Sequence, residues 1–167
     1  MFGVWGAKQR LGDVQFAQFT LATRPDLRAS AWIRANLPQD ASFLVNSFPA
    51  YGGTVMAGSD GGWWLRFLSG RQTNLPPLLY ASEPAPYPAF GQWINDLTNL
   101  LYSQGINSPE LQAELTRRGI GYIYVGQVQG RAGYGGPQPL EPETILTGQF
   151  YHPIYHQDRV WIFKANP

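Results

Sequence analysis

Apolar residues recur at helical spacing early in the chain, in the stretch TRPDLRASAWIRANLP at residues 23–38. Thr23 is a helix-capping residue, and Pro25 suits the first helical turn because a residue there needs no N–H partner. The stripe ends at Pro38, which cannot continue a helix. We therefore expect a helix with one buried face, made of Ala29, Trp32, Ile33 and Leu37.

A stronger helical stripe lies in AFGQWINDLTNLLYSQG at residues 89–105, where Gly105 permits a left-handed exit from the helix. A shorter helix is predicted to begin after Ser108 and to end near Gly119, and another is predicted in PETILTGQ at residues 142–149. The residues of the strong stripe are Phe90, Trp93, Ile94, Leu97 and Leu101.

Two short apolar runs, ASFLVNS at residues 41–47 and IGYIYVG at residues 120–126, each follow a predicted helix and are typical of buried strands. FYHPIYHQ and RVWIFKA then alternate apolar and polar positions around a turn placed at Gln157-Asp158, which predicts a terminal antiparallel hairpin. The pattern indicates a single three-layer α/β domain with a small mixed sheet. Residues 42–46 and 121–125 are its expected parallel centre, and the hairpin is its edge.

The remaining segments have weaker signals. SFPAYGG reads as a turn region, TVMAG as a short strand or the approach to the loop that follows, RQTNL as a brief strand, and WWLRFLS as either a short helix or an extended piece. PPLLYASEPAPYP is a proline-rich crossing of the surface, and VQGRAGYGGPQPLEP is a loop that lacks the spacing of a nucleotide-binding motif. Residues 1–21 are expected to be a connector, and residues 22–167 the α/β domain.

Composition narrows the classes of function. The chain has 167 residues, a formal net charge of +1, and 14% charged residues, where a soluble domain usually carries roughly 25%. We expect no nucleic-acid partner, because the basic residues are few and scattered. Cysteine is absent, so a disulfide frame and a thiolate site are excluded. A surface with so few charges favours an interface or a secreted setting.

No catalytic constellation stands out in the sequence. There is no cysteine, no G-x-S-x-G motif, and only two histidines, His152 and His156, which fall in a predicted strand without an H-E-x-x-H motif. A pair of carboxylates for glycoside hydrolysis cannot be recognised from spacing, since it depends on distance in space. We expect no cofactor, no metal ion and no catalytic residue in this chain.

The stretch AGSDGGWWLRFLSGR at residues 57–71 carries the candidate binding surface. An aromatic ring that stacks on C–H groups, beside a carboxylate or guanidinium that binds hydroxyls, is the usual chemistry of a sugar site. The same residues also suit a surface that docks on another protein or a membrane. In the plainer alternative, Asp60 turns the chain, one tryptophan enters the core, and Arg71 pairs with a carboxylate. The candidate residues are Asp60, Gly61, Gly62, Trp63, Trp64 and Arg71.

Four segments in order resemble the extracytoplasmic C-terminal domain of bacterial polytopic membrane proteins related to the GT-C glycosyltransferases. They are RPDLRASAWIRANLPQDASFLVNS, GSDGGWWLRFLSGRQTNLPP, LTRRGIGYIYVG and YHPIYHQDRVWIFKA, and the similarity covers roughly residues 22–164. Such proteins share a helix A-x-W-I-x-x-N-x-P, a segment G-x-D-x-G-x-W that leads to G-R-x-T-x-x-P-P, and a strand G-V-x-Y-V-Y-x-G before a final hairpin.

The resemblance implies that the natural protein continues upstream into membrane helices, which would be this domain's partner, and that the domain lies outside the cytoplasm. It further implies a parent that uses a lipid-phosphate sugar, with its catalytic acidic residue in the membrane part. This chain would then be non-catalytic and would dock, or recognise the acceptor or a lipid-linked glycan. The alternatives are a free carbohydrate- or protein-binding domain and, less favoured, a small hydrolase. Without the resemblance, the lack of a membrane span or signal peptide predicts a soluble cytoplasmic protein.

Overall fold

A computed structural model describes residues 20–76, 80 and 82–167. The chain folds as an α/β structure in which one mixed five-stranded sheet lies between two helical layers. Its elements in order are α1 (Arg24–Asn36), β1 (Ser42–Val45), β2 (Ser47–Ala50), β3 (Val55–Gly58), α2 (Leu65–Ser69), β4 (Gln72–Thr73), α3 (Phe90–Gln104), α4 (Pro109–Arg117), β5 (Tyr122–Val125), α5 (Pro142–Thr147), β6 (Tyr151–Gln157) and β7 (Val160–Ala165), with short 3-10 turns at Tyr51–Gly53 and Gly61–Trp64.

The sheet has the strand order β4-β1-β5-β7-β6. β1 pairs in parallel with β4 on one side and with β5 on the other, while β7 pairs antiparallel with both β5 and β6. The predicted parallel centre and terminal hairpin are therefore confirmed. The hairpin turn is displaced by one residue from the prediction, because Asp158 and Arg159 both adopt positive φ and form the two-residue loop.

Alternation along the central strands divides the core into two faces. One face of the sheet packs against α1 and α2 through Phe43, Val45, Tyr124 and Ile162. The other face packs against α3, α4 and α5 through Leu44, Ile123, Val125 and Phe163. Since side chains along a strand point to opposite faces in turn and both faces are covered, residues 43–45 of β1 and 122–125 of β5 are apolar or aromatic on both faces, as the sequence predicts.

The predicted helices form where their end signals place them. Asp26 in the first turn of α1 accepts hydrogen bonds from the backbone N–H and the hydroxyl of Thr23, at 2.8 and 2.5 Å. Ser108 caps α4 by accepting from the N–H of Leu111, and Gly105 leaves α3 with a φ of 76°. The starts of α1 and α4 thus have side-chain partners for backbone groups near the helix end, whereas the residues before α2, α3 and α5 make no side-chain cap hydrogen bond.

One local prediction needs correction, and one alternative that the sequence left open is decided. SFPAYGG is not only a turn, because residues 47–50 form β2, which pairs antiparallel with β3 in a separate two-stranded sheet. WWLRFLS is helical, being the end of a 3-10 turn followed by α2. RQTNL contributes only the two residues of β4. The predicted connector lies outside the described residues except for positions 20 and 21, as do positions 77–79 and 81 of the proline-rich segment.

Candidate functional site

The SDGGWW stretch lies at the carboxyl end of the parallel strands. It leaves β3 at Gly58 and turns through Asp60 into the 3-10 turn Gly61–Trp64. Asp60 is completely buried, and its Oδ1 accepts from the N–H of Gly62 at 2.8 Å. This hydrogen bond supports the interpretation of Asp60 as a turn-forming residue. Its carboxylate caps the turn that carries the two tryptophans.

The second oxygen of Asp60 ties this turn to the ends of β1 and β5. Oδ2 accepts from Asn46 Nδ2 at 3.1 Å and from the N–H of Gly126 at 3.0 Å. Asn46 directly follows β1 and Gly126 directly follows β5, so one carboxylate connects three segments of the chain. A carboxylate that accepts three hydrogen bonds in the interior acts as a structural bracket for the loops around it.

A second buried carboxylate, Asp26, lies beside this bracket and was not a candidate from the sequence. Besides its bonds to Thr23, its Oδ1 accepts from Tyr124 Oη at 2.8 Å and from the N–H of Gln127 at 3.1 Å. In the sequence, the position of Asp26 in a first helical turn is already explained by helix capping. Its hydrogen bonds to Tyr124 and Gln127 could therefore not be anticipated. Only the parallel pairing of β1 with β5 brings the start of α1 next to residues 124–127.

Glycines allow these groups to approach one another closely. A Cβ atom on Gly61 would lie 2.4 Å from Asp26 Oδ1, and one on Gly126 would lie 2.8 Å from the backbone nitrogen of Gly61. A Cβ on Gly62 would meet the Val45 side chain at 2.7 Å. The Asp-Gly-Gly sequence is therefore required by the lack of space around buried carboxylates, which is one of the known uses of glycine.

Burial raises the pKa of Asp60 to about 6. The loss of hydration in the interior is the largest cause, and the negative charge of Asp26 raises the pKa further. The hydrogen bonds from Asn46, Gly62 and Gly126 act in the opposite direction, because they stabilise the charged form. This carboxyl group is fully covered by protein, so it has no surface with which to contact a ligand.

Arg71 is also turned away from solvent and is only 7% exposed. Its guanidinium donates to the carbonyl oxygens of Ser69 at 3.2 Å, Arg34 at 3.3 Å and Leu37 at 2.8 Å. It therefore closes the carboxyl end of α1 against the turn after α2, using carbonyl oxygens rather than the carboxylate that the sequence suggested. Both terminal nitrogens of Arg71 are engaged within the fold, and its Nε is buried with no partner among the described residues, so this side chain does not face a sugar hydroxyl at the surface.

The two adjacent tryptophans have different environments. Trp63 is half-buried and packs against the core, with its ring so close to Gly58 that a Cβ there would lie 2.4 Å from it. Trp64 is 40% exposed, and its ring lies 5.9 Å from that of Phe67, which is 62% exposed. Consecutive residues of a helical turn point roughly 100–120° apart, so one ring enters the core and the next faces outward.

Trp64 belongs to an exposed apolar surface, which we call the Trp64 patch. It consists of Trp64, Phe67 and Leu27, the last being 50% exposed on α1. A shallow cavity of about 430 Å³ runs along it and is also lined by Thr20, Leu21 and Leu68. Three large apolar side chains that are close to half exposed form a contiguous apolar surface of the kind that marks an interaction site.

A second concave surface, which we call the aromatic groove, lies beside the amino ends of β1 and β4. It has a volume of about 420 Å³ and is bordered by the rings of Tyr87, Phe90 and Trp93. Polar side chains from the strand ends and from the residues before them complete the lining. The sequence did not indicate this groove, because its walls come from separate segments between residues 40 and 119 that only the fold assembles.

The two histidines have local partners. His152 Nδ1 lies 2.7 Å from Asn166 Oδ1, and the ring of His156 stacks on Trp161 at 3.4 Å between centroids. Within residues 20–76, 80 and 82–167, no three His, Cys, Asp or Glu side chains are grouped so that they could hold a metal ion. In the same part of the chain, no helix has the length and apolar character that crossing a membrane requires.

Of the six sequence candidates, the structure brings Asp60, Gly61 and Gly62 together inside the protein and places Arg71 in a separate buried contact. Trp63 is partly covered, and Trp64 alone is exposed.

Comparison of the chain with models of known protein families, with curated proteins and with solved structures gave no match.

Proposed function

We propose that this chain is a non-catalytic, extracytoplasmic domain of a larger membrane protein that resembles the GT-C glycosyltransferases. In this proposal the domain docks through the Trp64 patch onto the membrane-embedded part of the same protein. The observation that carries the proposal is the position of the patch, because the exposed apolar side chains lie where the chain enters the domain. Thr20 and Leu21 line the same cavity as Trp64.

That position limits where an upstream partner can lie. Any segment before residue 20 reaches the domain beside Leu27 and Trp64, since residues 20–22 run along the patch. A membrane region linked through this segment is therefore held at high local concentration next to the patch, which lets a modest apolar contact suffice for docking. Tryptophan is well suited to such a contact because its ring is apolar while its indole N–H can remain at the water boundary, and phenylalanine adds apolar area.

The charges around the patch support an apolar or anionic partner. Within α1 and α2 the only carboxylate is that of Asp26, which is buried, while Arg24, Arg28 and Arg34 are exposed. Arg28 pairs with Asp158 at 2.5 Å, and Arg34 donates to the carbonyl of Leu68. No exposed negative charge of these two helices opposes approach to a membrane surface.

The burial of two acidic residues, Asp26 and Asp60, supports a non-catalytic role for these side chains. Asp26 and Asp60 have their oxygens engaged with donors of the fold and are fully covered by protein. A general acid or nucleophile must reach the substrate, and neither group does so in this structure. A role in a hydrolase would therefore require carboxylates other than these two.

A first experiment tests the membrane origin of the domain. Cells that produce the protein are fractionated, and an antibody raised against residues 22–167 reads both location and apparent mass. We expect a band much heavier than 18.6 kDa that stays with the membrane until detergent is added. A band near 18.6 kDa in the aqueous fraction would overturn the proposal.

A second experiment tests the docking surface in the membrane protein. The photoreactive residue benzoylphenylalanine replaces Phe67 or, as a control, Tyr51, which is 74% exposed but lies outside the patch. After illumination, the Phe67 position should crosslink to a membrane segment of the same chain, and the Tyr51 position should not. Crosslinks from position 67 to lipid alone would show that the patch faces the bilayer instead. Equal crosslinking from both positions would contradict a specific docking surface.

A further inference from the structure

The aromatic groove has features of a ligand site that are independent of the Trp64 patch. It lies between the amino ends of β1 and β4, the first turns of α3, and the end of α4. Its volume of about 420 Å³ falls within the range of small-molecule sites, which is roughly 300–1,000 Å³. Edge strand β4 forms one wall, so the groove is open along the side of the sheet.

The apolar wall is built from rings that other contacts hold in place. The rings of Tyr87 and Phe90 pack edge to face, with an angle of 80° between their planes and 5.2 Å between their centroids. Tyr87 remains 46% exposed. Trp93 is fixed by Arg118, whose guanidinium stacks 4.2 Å from the ring centroid and donates to the Trp93 carbonyl at 2.6 Å. Aromatic rings that are ordered before binding lose little conformational freedom when a ligand stacks on them.

The polar wall combines donors and acceptors with little net charge. It is formed by Asp40, Arg66, Gln72 and Thr73, and the Thr73 hydroxyl donates to the carbonyl of Leu75 at 2.6 Å and so serves a ligand as an acceptor. The second arginine of the groove, Arg118, is only 4% exposed and is engaged within the fold, because it shares Glu114 with Arg117 and donates to the Trp93 carbonyl. One negative and one positive group therefore remain available to a ligand.

These features discriminate among classes of ligand. A phosphate or other anion would meet the Asp40 carboxylate with only Arg66 uncommitted to oppose it. A metal ion is disfavoured because the described residues hold no cluster of ligating side chains. A fatty chain would leave the polar wall unpaired. A pyranose ring satisfies both walls, because its C–H groups carry the partial positive charge that an aromatic face attracts, and its hydroxyls both donate and accept hydrogen bonds.

We propose that the aromatic groove binds a neutral pyranose unit of a glycan, with Tyr87 as the exposed stacking surface and Asp40 as an acceptor for hydroxyl groups. This site differs from the set of sequence candidates, whose Asp60 and Arg71 are buried, and it takes only Arg66 from the stretch at residues 57–71. It does not depend on the Trp64 patch, so docking and glycan binding can each fail without the other.

The test uses the whole chain labelled with ¹⁵N and a panel of neutral oligosaccharides built from glucose, mannose or galactose. We expect at least one of them to shift the indole signal of Trp93 and the amide signal of Thr73 in a saturable manner. Tyr87→Ala should weaken that binding by roughly tenfold or more, since the ring is the anchor of the site. Asp40→Asn should weaken it less, because an amide oxygen still accepts.

The control is Tyr51→Ala, which removes a tyrosine outside the groove that is 74% exposed, against 46% for Tyr87. Thermal unfolding of each variant confirms that the fold is kept. The proposal is overturned if no neutral sugar shifts the groove signals at about 10 mM, which corresponds to a binding free energy weaker than about 3 kcal/mol. Tighter binding of a hexose phosphate than of the neutral sugar would also overturn it, as would equal weakening by Tyr51→Ala.

Discussion

The buried carboxyl group of Asp60 should make the stability of the protein depend on pH. Its pKa is about 6 in the folded state and 3.8 without the fold, so the folded state holds a proton that the unfolded state has lost between those values. Stability from this group is fully present below pH 3.8 and decreases as the pH rises to about 6. A difference of about two pKa units corresponds to roughly 3 kcal/mol of unfolding free energy.

The neighbouring amide of Asn46 can serve either protonation state. With Asp60 ionised, Asn46 Nδ2 donates to it, and Asn46 Oδ1 is buried with no partner among the described residues. Rotating the amide by 180° would bring this oxygen towards Asp60, where it can accept a hydrogen bond from the O–H of the protonated carboxyl group. The fold can therefore hold the neutral acid without leaving its hydroxyl unpaired.

The measurement compares the wild-type chain with Asp60→Asn by urea unfolding at several pH values between 4 and 8. The variant cannot ionise at this position, so the wild type should lose up to about 3 kcal/mol relative to it as the pH rises from 4 to 7, and nothing further above that. In addition, we expect the variant to have a free energy of unfolding that is lower by about 1–3 kcal/mol at every pH. The reason is that its amide N–H₂ faces a backbone N–H donor that the carboxylate would accept from. Asp96→Asn, at an exposed position of α3, is the control.

Two results would refute this reasoning. If the difference between wild type and Asp60→Asn is the same at every pH, the carboxyl group has an ordinary pKa and its burial is not the dominant influence. If the wild type gains stability relative to the variant as the pH rises, the hydrogen bonds to the carboxylate outweigh the loss of hydration. Asp96→Asn should leave the pH dependence of stability as it is in the wild type.

Three further predictions concern packing and are checked by chemical or thermal unfolding. Gly61→Ala should lower the free energy of unfolding by about 1–3 kcal/mol, because the added methyl group has no room. Gly121→Ala, which has open space around it, should leave this free energy nearly unchanged. Equal effects of the two substitutions would contradict the close approach at Gly61. Ile94→Ala should cost about 2–5 kcal/mol because the side chain is 1% exposed, and Gln92→Ala on the outer face of α3 should cost less than about 0.5. Arg71→Ala should cost about 1–3 kcal/mol, since buried carbonyl oxygens lose their charged donor; an unchanged midpoint would contradict that role.

Much of the fold could be predicted because its signals are local. The helix at residues 24–36 has its cap and its stop within the same short stretch, and the strands around Leu44 and Ile123 are apolar on both faces because helices cover both sides of the sheet. The strand at residues 47–50 was missed because it contains Pro49. Proline is tolerated there since β2 pairs with a neighbour on one side only.

The site was less predictable because its contacts are between distant parts of the chain. Asp26 and Tyr124 are 98 positions apart, and Asp60 and Gly126 are 66 apart, so spacing in the sequence could not show that they meet. The two tryptophans could not be separated into core and surface without knowing that residues 61–64 are helical. The aromatic groove likewise exists only after β4 is placed against β1.

The buried carboxylates of Asp26 and Asp60 have a consequence for how the chain folds. Each accepts hydrogen bonds from residues at the ends of β1 or β5, so neither carboxylate can leave water at low cost until those strands are paired in register. The terminal hairpin needs no such partner and can close over a two-residue loop. The long connection from β1 to β5 carries the larger entropy cost of closure. We therefore expect the parallel centre to be the slow event in folding, with the two acids staying hydrated until it is complete.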